Sequence, residues 1–371
     1  MNLAAPSAPE PEELLRGVVD CVDREHLAAR LRSGASLRFK FGIDPSAPDI
    51  HLGHTVPMRL LRRWQQAGHL PVLIIGDFTA RIGDPSGRSA TRPQLSREEV
   101  EANAVTYLEQ VFAVVDPERV EVRRQSEWYG DFSLDAVLEL ARTATVAQML
   151  QRADFEQRLR QERPIGLHEL LYPLLQGYDS VAIAADVELG GTDQLFNLLR
   201  GREVQSAYGM ARQDVVTVPL LVGLDGQRKM SKSLNNAVGV REPAAEQFGK
   251  LMSLPDTQIV PYLELVTATP PAEVDRLAAE LAAGQVHPRD LKELMAKRVV
   301  AQFHGAGAAD AAAAEFARRF RDRGLPSEVR EAVLPQGPLD PRDLLTGAGL
   351  APSRSQAMRW LREGAVRLDE A

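Results

Sequence analysis

The stretch from Leu37 to Gly76 constrains the fold more than any other part of the chain. Leu37 to Ile43 places apolar residues at alternate positions, as a strand does, and Leu70-Pro71-Val72-Leu73-Ile74-Ile75-Gly76 is the continuous apolar run expected of a strand buried on both faces. Between them Thr55 to Ala67 has the apolar spacing of a helix. A strand, a helix and a second buried strand make a β-α-β unit, and such units build parallel sheets covered by helices. Its first turn carries neither the dinucleotide glycine fingerprint nor the Walker lysine loop, so a nucleotide would be held in another way.

That turn is Asp44-Pro45-Ser46-Ala47-Pro48-Asp49-Ile50-His51-Leu52-Gly53-His54. Two prolines keep it extended, and the imidazoles, three residues apart, can share one side of the first helical turn. Backbone N–H groups at a helix start favour an anion, to which His51 and His54 would add donors, while Gly53 lets a base or sugar approach. Taken alone, the stretch reads equally well as a pair of surface histidines.

Further along, Asp77 to Arg88 is a turn-rich loop at a strand's carboxyl end, where open parallel sheets bind ligands. Asp84 and Thr79 would suit an ammonium group, and Arg88 and Arg92 a phosphate; a surface turn is the plainer reading. Glu98 to Val115, Leu134 to Ala141 and Thr145 to Glu162 read as helices and Arg119 to Arg123 as a strand. This region, about 98–162, is expected to be a helical insertion with apolar faces suited to a dimer contact. In the helix around His168 to Asp179, Tyr172, Gln176 and Asp179 share a face opposite several leucines. Such a stripe lines a pocket or meets water. Gly190-Gly191-Thr192-Asp193-Gln194 follows an apolar segment and opens a helix to about Val204, with Thr192 as the expected cap. Val215 to Val222 reads as a strand that Pro219 demotes toward an edge or bend. Next, Lys229-Met230-Ser231-Lys232-Ser233 sits on a glycine-entered loop suited to a mobile arm that closes on a polyphosphate, or to a solvated basic loop.

Together these motifs resemble a family. His51-Leu52-Gly53-His54 and Lys229-Met230-Ser231-Lys232-Ser233 are similar to the two signatures of class I aminoacyl-tRNA synthetases, in the right order and separation. The intervening motifs, over roughly residues 10–330, resemble bacterial tyrosyl-tRNA synthetases. The resemblance implies a tyrosine–tRNA ligase that makes tyrosyl-adenylate from L-tyrosine and ATP, then esterifies the terminal adenosine of tRNA(Tyr). It implies catalytic roles for His51, His54, Lys229 and Lys232 on the ATP phosphates. Asp44, Ser46, Gly53, Gly191, Asp193, Met230, Ser231 and Ser233 would complete the nucleotide site, Asp193 on the ribose. Asp84, Tyr172 and Gln176 would take the tyrosine ammonium, with Thr79 also in the tyrosine site, Asp179 the phenol hydroxyl, and Gln194 would sit near the carboxylate. Some family members place Tyr and Cys before the first glycine, to contact the phenol and the ribose respectively; this chain has Lys40 and Phe41 before Gly42, so the phenol would rest mainly on Asp179. A tryptophan-type enzyme and a non-catalytic RNA-binding paralogue are the competing readings.

The expected architecture is α/β: a disordered 1–11, a Rossmann-like parallel-sheet domain at 12–222, a mobile loop at 223–242, an α-helical domain at 243–326 and a linker at 327–342. Residues 343–371 resemble the opening helices of an S4-type RNA-binding module, incomplete where the chain ends, with Arg354, Arg359 and Arg362 facing RNA. Arg88 and Arg92 would contact tRNA as well, and Arg318, Arg319, Arg321 and Arg323 give the helical region a positive end. A net charge of −7 confines RNA contacts to such patches. The single cysteine, Cys21, excludes an internal disulfide and a cysteine-based metal cluster. With no signal-like start and no membrane-length apolar run, the expected setting is the cytoplasm, with no membrane partner and Mg²⁺ carried by ATP.

Overall fold

The computed structural model describes residues 10–83, 95–320 and 340–366. It divides into two units, Met1–Phe316 and Ala317–Ala371. Among the described residues the first unit is built on a six-stranded sheet: β1 (Cys21–Val22), β2 (Arg38–Ile43), β3 (Leu70–Ile75), β4 (Glu121–Arg124), β5 (Val187–Gly191) and β6 (Asp214–Val218). Its order is β4-β3-β2-β5-β6-β1, parallel throughout except for β1, which is antiparallel to β6. The chain steps outward from β2 to β4, then returns to the other side of β2 with β5. That reversal opens a crevice at the carboxyl ends of β2 and β5, where such sheets bind ligands.

Side-chain alternation along β2 decides what covers each face. Phe39 packs on Trp64 of α3 (Leu52–Gln66), ring centroids 3.8 Å apart, and the Trp64 indole donates to the Leu14 carbonyl at 2.9 Å. Lys40, the next residue, faces the opposite way toward α9 (Leu167–Ala182). β3 is buried on both faces, as its apolar run requires. On the α9 side, α10 (Leu195–Ala207) packs so closely that a Cβ at Gly177 would lie 2.9 Å from Val204 and 3.3 Å from the Gly201 backbone. The glycines therefore set the helix spacing.

Several elements differ from the sequence reading. The helical spacing of Glu12 to Ser33 predicts one helix, but the segment is split into α1 (Pro11–Leu14) and α2 (Arg24–Arg32), because Gly17 and Asp23 adopt positive φ and the chain between them pairs with β6. Residues 98–124 are not part of an insertion: α4 (Arg97–Val111) crosses over to β4, which belongs to the sheet. The helical excursion comes after it, as α5 (Ser126–Tyr129), α6 (Leu134–Ala141), α7 (Val146–Met149) and α8 (Ala153–Arg160). Thr192 does not cap α10; it begins a 3₁₀ turn, Thr192–Gln194, that delays the helix. β6 stops before Pro219, which has no N–H for a further ladder bond, and it is flanked on both sides.

The helical region is α11 (Ala244–Met252), α12 (Ile259–Val266), α13 (Pro271–Ala282), α14 (Pro288–His304) and α15 (Ala306–Phe320). It is not a separate core: Phe248, Tyr262 and Met295 belong to the apolar cluster that also contains Trp64 and Phe39. In the second unit, α16 (Pro341–Gly347) and α17 (Arg354–Arg362) pack around Leu345, Ala351 and Ala357.

Candidate active site

A cavity of about 530 Å³ opens at the sheet's strand reversal. Its floor is formed by the ends of β2, β3, β5 and β6, including Gly42, Gly76, Gly190 and Val218. The loop after β2 and the loop after β6 make facing walls. Both signatures found in the sequence therefore border one space.

On the first wall His51 is the N-cap of α3, its Nδ1 accepting from the Gly53 amide at 3.2 Å. The His51 and His54 rings lie 3.9 Å apart. Burial, the His54 ring and the two arm lysines push the His51 pKa down to about 2; burial first, and then Lys232, bring His54 down to about 4. Both imidazoles are thus neutral at physiological pH. With Nδ1 acting as acceptor, the His51 proton resides on Nε2, so that ring offers a neutral donor; His54 Nδ1 lies between the His51 amide at 3.2 Å and the His51 carbonyl at 3.3 Å, and which of them it engages sets its tautomer. The lysine arm faces them. Met230 is buried, and a Cβ at Gly53 would sit 3.6 Å from its side chain. Lys229 donates to Asp193 at 3.1 Å, whereas Lys232 does not line the cavity and donates instead to the Asp49 carbonyl at 2.8 Å.

At the inner end lie Tyr172, Gln176 and Asp179, the stripe on α9. Asp44 joins the two sides: its carboxylate accepts from Thr79 Oγ1 and from the Tyr172 hydroxyl, each at 2.8 Å. Asp179 is buried and accepts from Gln125 Nε2 at 2.8 Å and from the Trp128 indole at 3.1 Å. Burial raises its pKa to about 7, against the charge of Lys40 and the Gln125 donor. Gln176 donates through Nε2 to Glu188 at 3.1 Å, and Gln194 Oε1 accepts from Asn197 at 3.0 Å.

Of the residues singled out from sequence, Asp44, Ser46, Gly53, Gly191, Asp193, Met230, Ser231 and Ser233 line this cavity with the histidines and Lys229. So do Thr79, Tyr172, Gln176, Asp179 and Gln194. Asp84, Arg88, Arg92, Arg321 and Arg323 lie outside the described residues. Arg354, Arg359 and Arg362 belong to the second unit, on α17. Lys40 lies beneath the cavity rather than on its wall, while Phe41 lines it. Gln125 and Trp128 were not legible as site residues, because their partner is 54 and 51 positions away and no spacing rule links them. Among the described residues no group of three His, Cys, Asp or Glu side chains is placed to hold a metal ion, and no helix is long and apolar enough to cross a membrane.

A family model described as tRNA synthetases class I (W and Y) matches residues 32–321, and the chain belongs to that family. Relatives to which it is similar include proteins named tyrosine–tRNA ligase. That of Moorella thermoacetica is 50% identical over 360 residues, covering 96% of this chain and 87% of its own. That of Dehalococcoides mccartyi is 51% identical over 357 residues, covering 96% and 90%. Among solved structures, a C-terminally truncated mitochondrial tyrosyl-tRNA synthetase of Aspergillus nidulans superposes with a TM-score of 0.71 at 23% identity, covering 84% of this chain and 94% of its own, which shows a shared fold.

The histidine electrostatics can be checked by NMR. The His51 and His54 ring resonances, assigned by their loss in His51→Gln and His54→Gln, should not titrate between pH 5 and 8; a midpoint near the ordinary value of about 6.5 for either ring would contradict the neutral assignment.

Proposed function

We infer that the chain performs the reaction for which its relatives are named. It activates L-tyrosine with ATP, giving tyrosyl-adenylate and pyrophosphate, and transfers tyrosine to the 3′-terminal adenosine of tRNA(Tyr). The observation that carries this reading is a single cavity bounded by the histidine pair, the lysine arm and, at its inner end, a buried carboxylate.

The tyrosine carboxylate is already a nucleophile at neutral pH, so attack on the α-phosphorus needs no general base. Catalysis is then positioning and charge stabilisation. In the proposed roles, Asp179 accepts from the phenol, which Gln125 and Trp128 help by fixing its carboxylate. The Tyr172 hydroxyl, Gln176 and Asp84 take the ammonium, with Asp44 and Thr79 bracing Tyr172, and Gln194 sits near the substrate carboxylate. Asp193 binds ribose once the nucleotide separates it from Lys229. His51 donates from Nε2 to the phosphates, as does His54 when its Nδ1 accepts from the His51 amide. Lys232 leaves the Asp49 carbonyl as the arm closes, bringing a second ammonium to the charge that develops on the leaving pyrophosphate. Mg²⁺ enters with ATP as part of the substrate. The tRNA would be met by Arg88, Arg92 and the α17 arginines, with the α16–α17 pair as an S4-like helical element. The proposed setting is the cytoplasm.

We also propose that a second copy of the chain covers the exposed apolar side chains between residues 134 and 167. Leu134 and Leu167 are 73% and 81% exposed there, and Leu138, Val146 and Leu159 are exposed as well. Apolar exposure on this scale along successive helices is characteristic of a subunit contact. Sedimentation should give a dimer, and Leu138→Glu combined with Leu159→Glu should shift it toward monomer; a wild-type monomer at micromolar concentration would contradict the contact.

Exchange of pyrophosphate into ATP, run across the common amino acids, should proceed with tyrosine and with no other at comparable rate. Losing one charge-stabilising donor costs about 3 kcal/mol in a barrier, so Lys232→Ala should slow activation roughly a hundredfold with little change in tyrosine affinity. Activation at wild-type speed would remove Lys232 from its role.

Asp179 also sets a pH dependence. Its raised pKa means that in the empty site the carboxyl gains its proton as pH falls through about 7. Protonation removes the anionic acceptor, so tyrosine affinity should fall about tenfold from pH 8 to pH 6. Asp179→Asn should bind weakly and show no such slope, and a pH-independent wild type would count against the assignment.

A further inference from the structure

Beneath the cavity lies a buried ion pair that the proposed roles do not use. Lys40 and Glu188 are register partners on the adjacent parallel strands β2 and β5, on the face that meets α9, and both are almost completely buried. The Lys40 ammonium directs its donors to Glu188 Oε1 at 2.9 Å, to Ser180 Oγ at 2.8 Å and to the Gln176 main-chain carbonyl at 2.6 Å. Glu188 accepts in turn from Gln176 Nε2 at 3.1 Å, from Ser180 Oγ at 3.3 Å and from Gln213 Nε2. Gly201 leaves the room for this: a Cβ there would lie 2.5 Å from Gln213 Nε2 and 2.8 Å from Glu188 Oε2.

A buried pair of this kind contributes little net stability, because desolvation offsets the attraction. Its directional effect on Gln176 is large. An amide side chain can present either its NH₂ donor or its carbonyl acceptor, and only the acceptor suits an ammonium. With Nε2 held by Glu188 and the main chain of the same residue held by Lys40, the amide cannot flip without losing the Glu188 bond, so its carbonyl oxygen is turned away from Glu188 and is open to a ligand as an acceptor. On Asp179 the two charges act in opposite senses and partly cancel, so the hold on Gln176 is the principal local consequence.

We propose that Lys40 and Glu188 are positioning residues for amino-acid activation, fixing the Gln176 amide so that its carbonyl oxygen, rather than its NH₂, meets the ammonium of the substrate. This rests on the tyrosine-activation reading above. It assigns Lys40 a role other than contact with the phenol.

The test uses the full chain in pyrophosphate exchange, with thermal unfolding in parallel. Lys40→Met combined with Glu188→Leu replaces the pair by apolar side chains that fill the space, while removing the acceptor that orients Gln176. The expected result is an unfolding midpoint near wild type, a tyrosine KM raised about tenfold or more, and an ATP KM within about twofold. Lys40→Met combined with Glu188→Gln keeps a neutral acceptor at 188 and should recover most of the tyrosine KM. Should the first double variant fail to fold, Gly201→Ala, whose added carbon presses on Gln213 Nε2 and Glu188 Oε2 from outside the cavity, should raise the tyrosine KM while the unfolding midpoint and the ATP KM stay near wild type, which separates it from a change in the α9–α10 spacing. The inference is overturned if tyrosine KM is unchanged in the Leu variant or, where that does not fold, in Gly201→Ala, or if the two KM values rise together as the midpoint falls. A wild-type protein that shows no tyrosine-dependent exchange would instead overturn the proposed function, and this inference with it.

Discussion

Two backbone hydrogen bonds hold the site together. The Leu52 amide donates to the Val238 carbonyl at 2.9 Å and the Val240 amide to the Ile50 carbonyl at 3.0 Å, with a bridge between His51 and Gly239 at their centre. They fasten the end of the lysine arm to the start of α3, so that groups far apart in sequence face one another across one cavity. Met230 buries the middle of the arm beside Gly53, and Lys232 reaches the Asp49 carbonyl. The arm therefore has a fixed root and an exposed ammonium tip, a combination that suits a segment required to close on a polyphosphate without losing its place.

The cavity's two ends are built on different physical principles. The end proposed for the nucleotide is made from backbone turns and neutral imidazoles, which can donate to phosphate without adding fixed charge of their own. The end proposed for the amino acid is made from charge and burial: Asp179 is buried and held by two N–H donors, while the Lys40–Glu188 pair sits beneath its neighbour Gln176. In the proposed role a phenol satisfies this buried acceptor, which phenylalanine would leave without a ligand donor, and unsatisfied buried polar groups are what make such selection steep.

Much of this was legible from local pattern. The β-α-β unit followed from the periodicity of Leu37 to Gly76, the stripe on α9 from the spacing of three polar residues, and the two signatures from their letters. What was hidden depends on long-range geometry. That β4 joins the sheet depends on pairing with β3, although the local pattern between residues 98 and 162 is dominated by helices. The break between α1 and α2 depends on a two-residue strand captured by β6. Lys40 looked like a departure from the phenol-binding pattern, and its actual surroundings emerge only when β5 is set beside β2 and Gly201 leaves space for Glu188.

The most direct measurement is a crystal structure with a non-hydrolysable tyrosyl-adenylate analogue bound. The account predicts the phenol oxygen within hydrogen-bond distance of Asp179, the ammonium on Tyr172 and the Gln176 carbonyl oxygen, and the phosphate position between the histidine pair and the lysine arm. An analogue bound elsewhere, or bound with its ring away from Asp179 and its phosphate out of reach of both signatures, would contradict it.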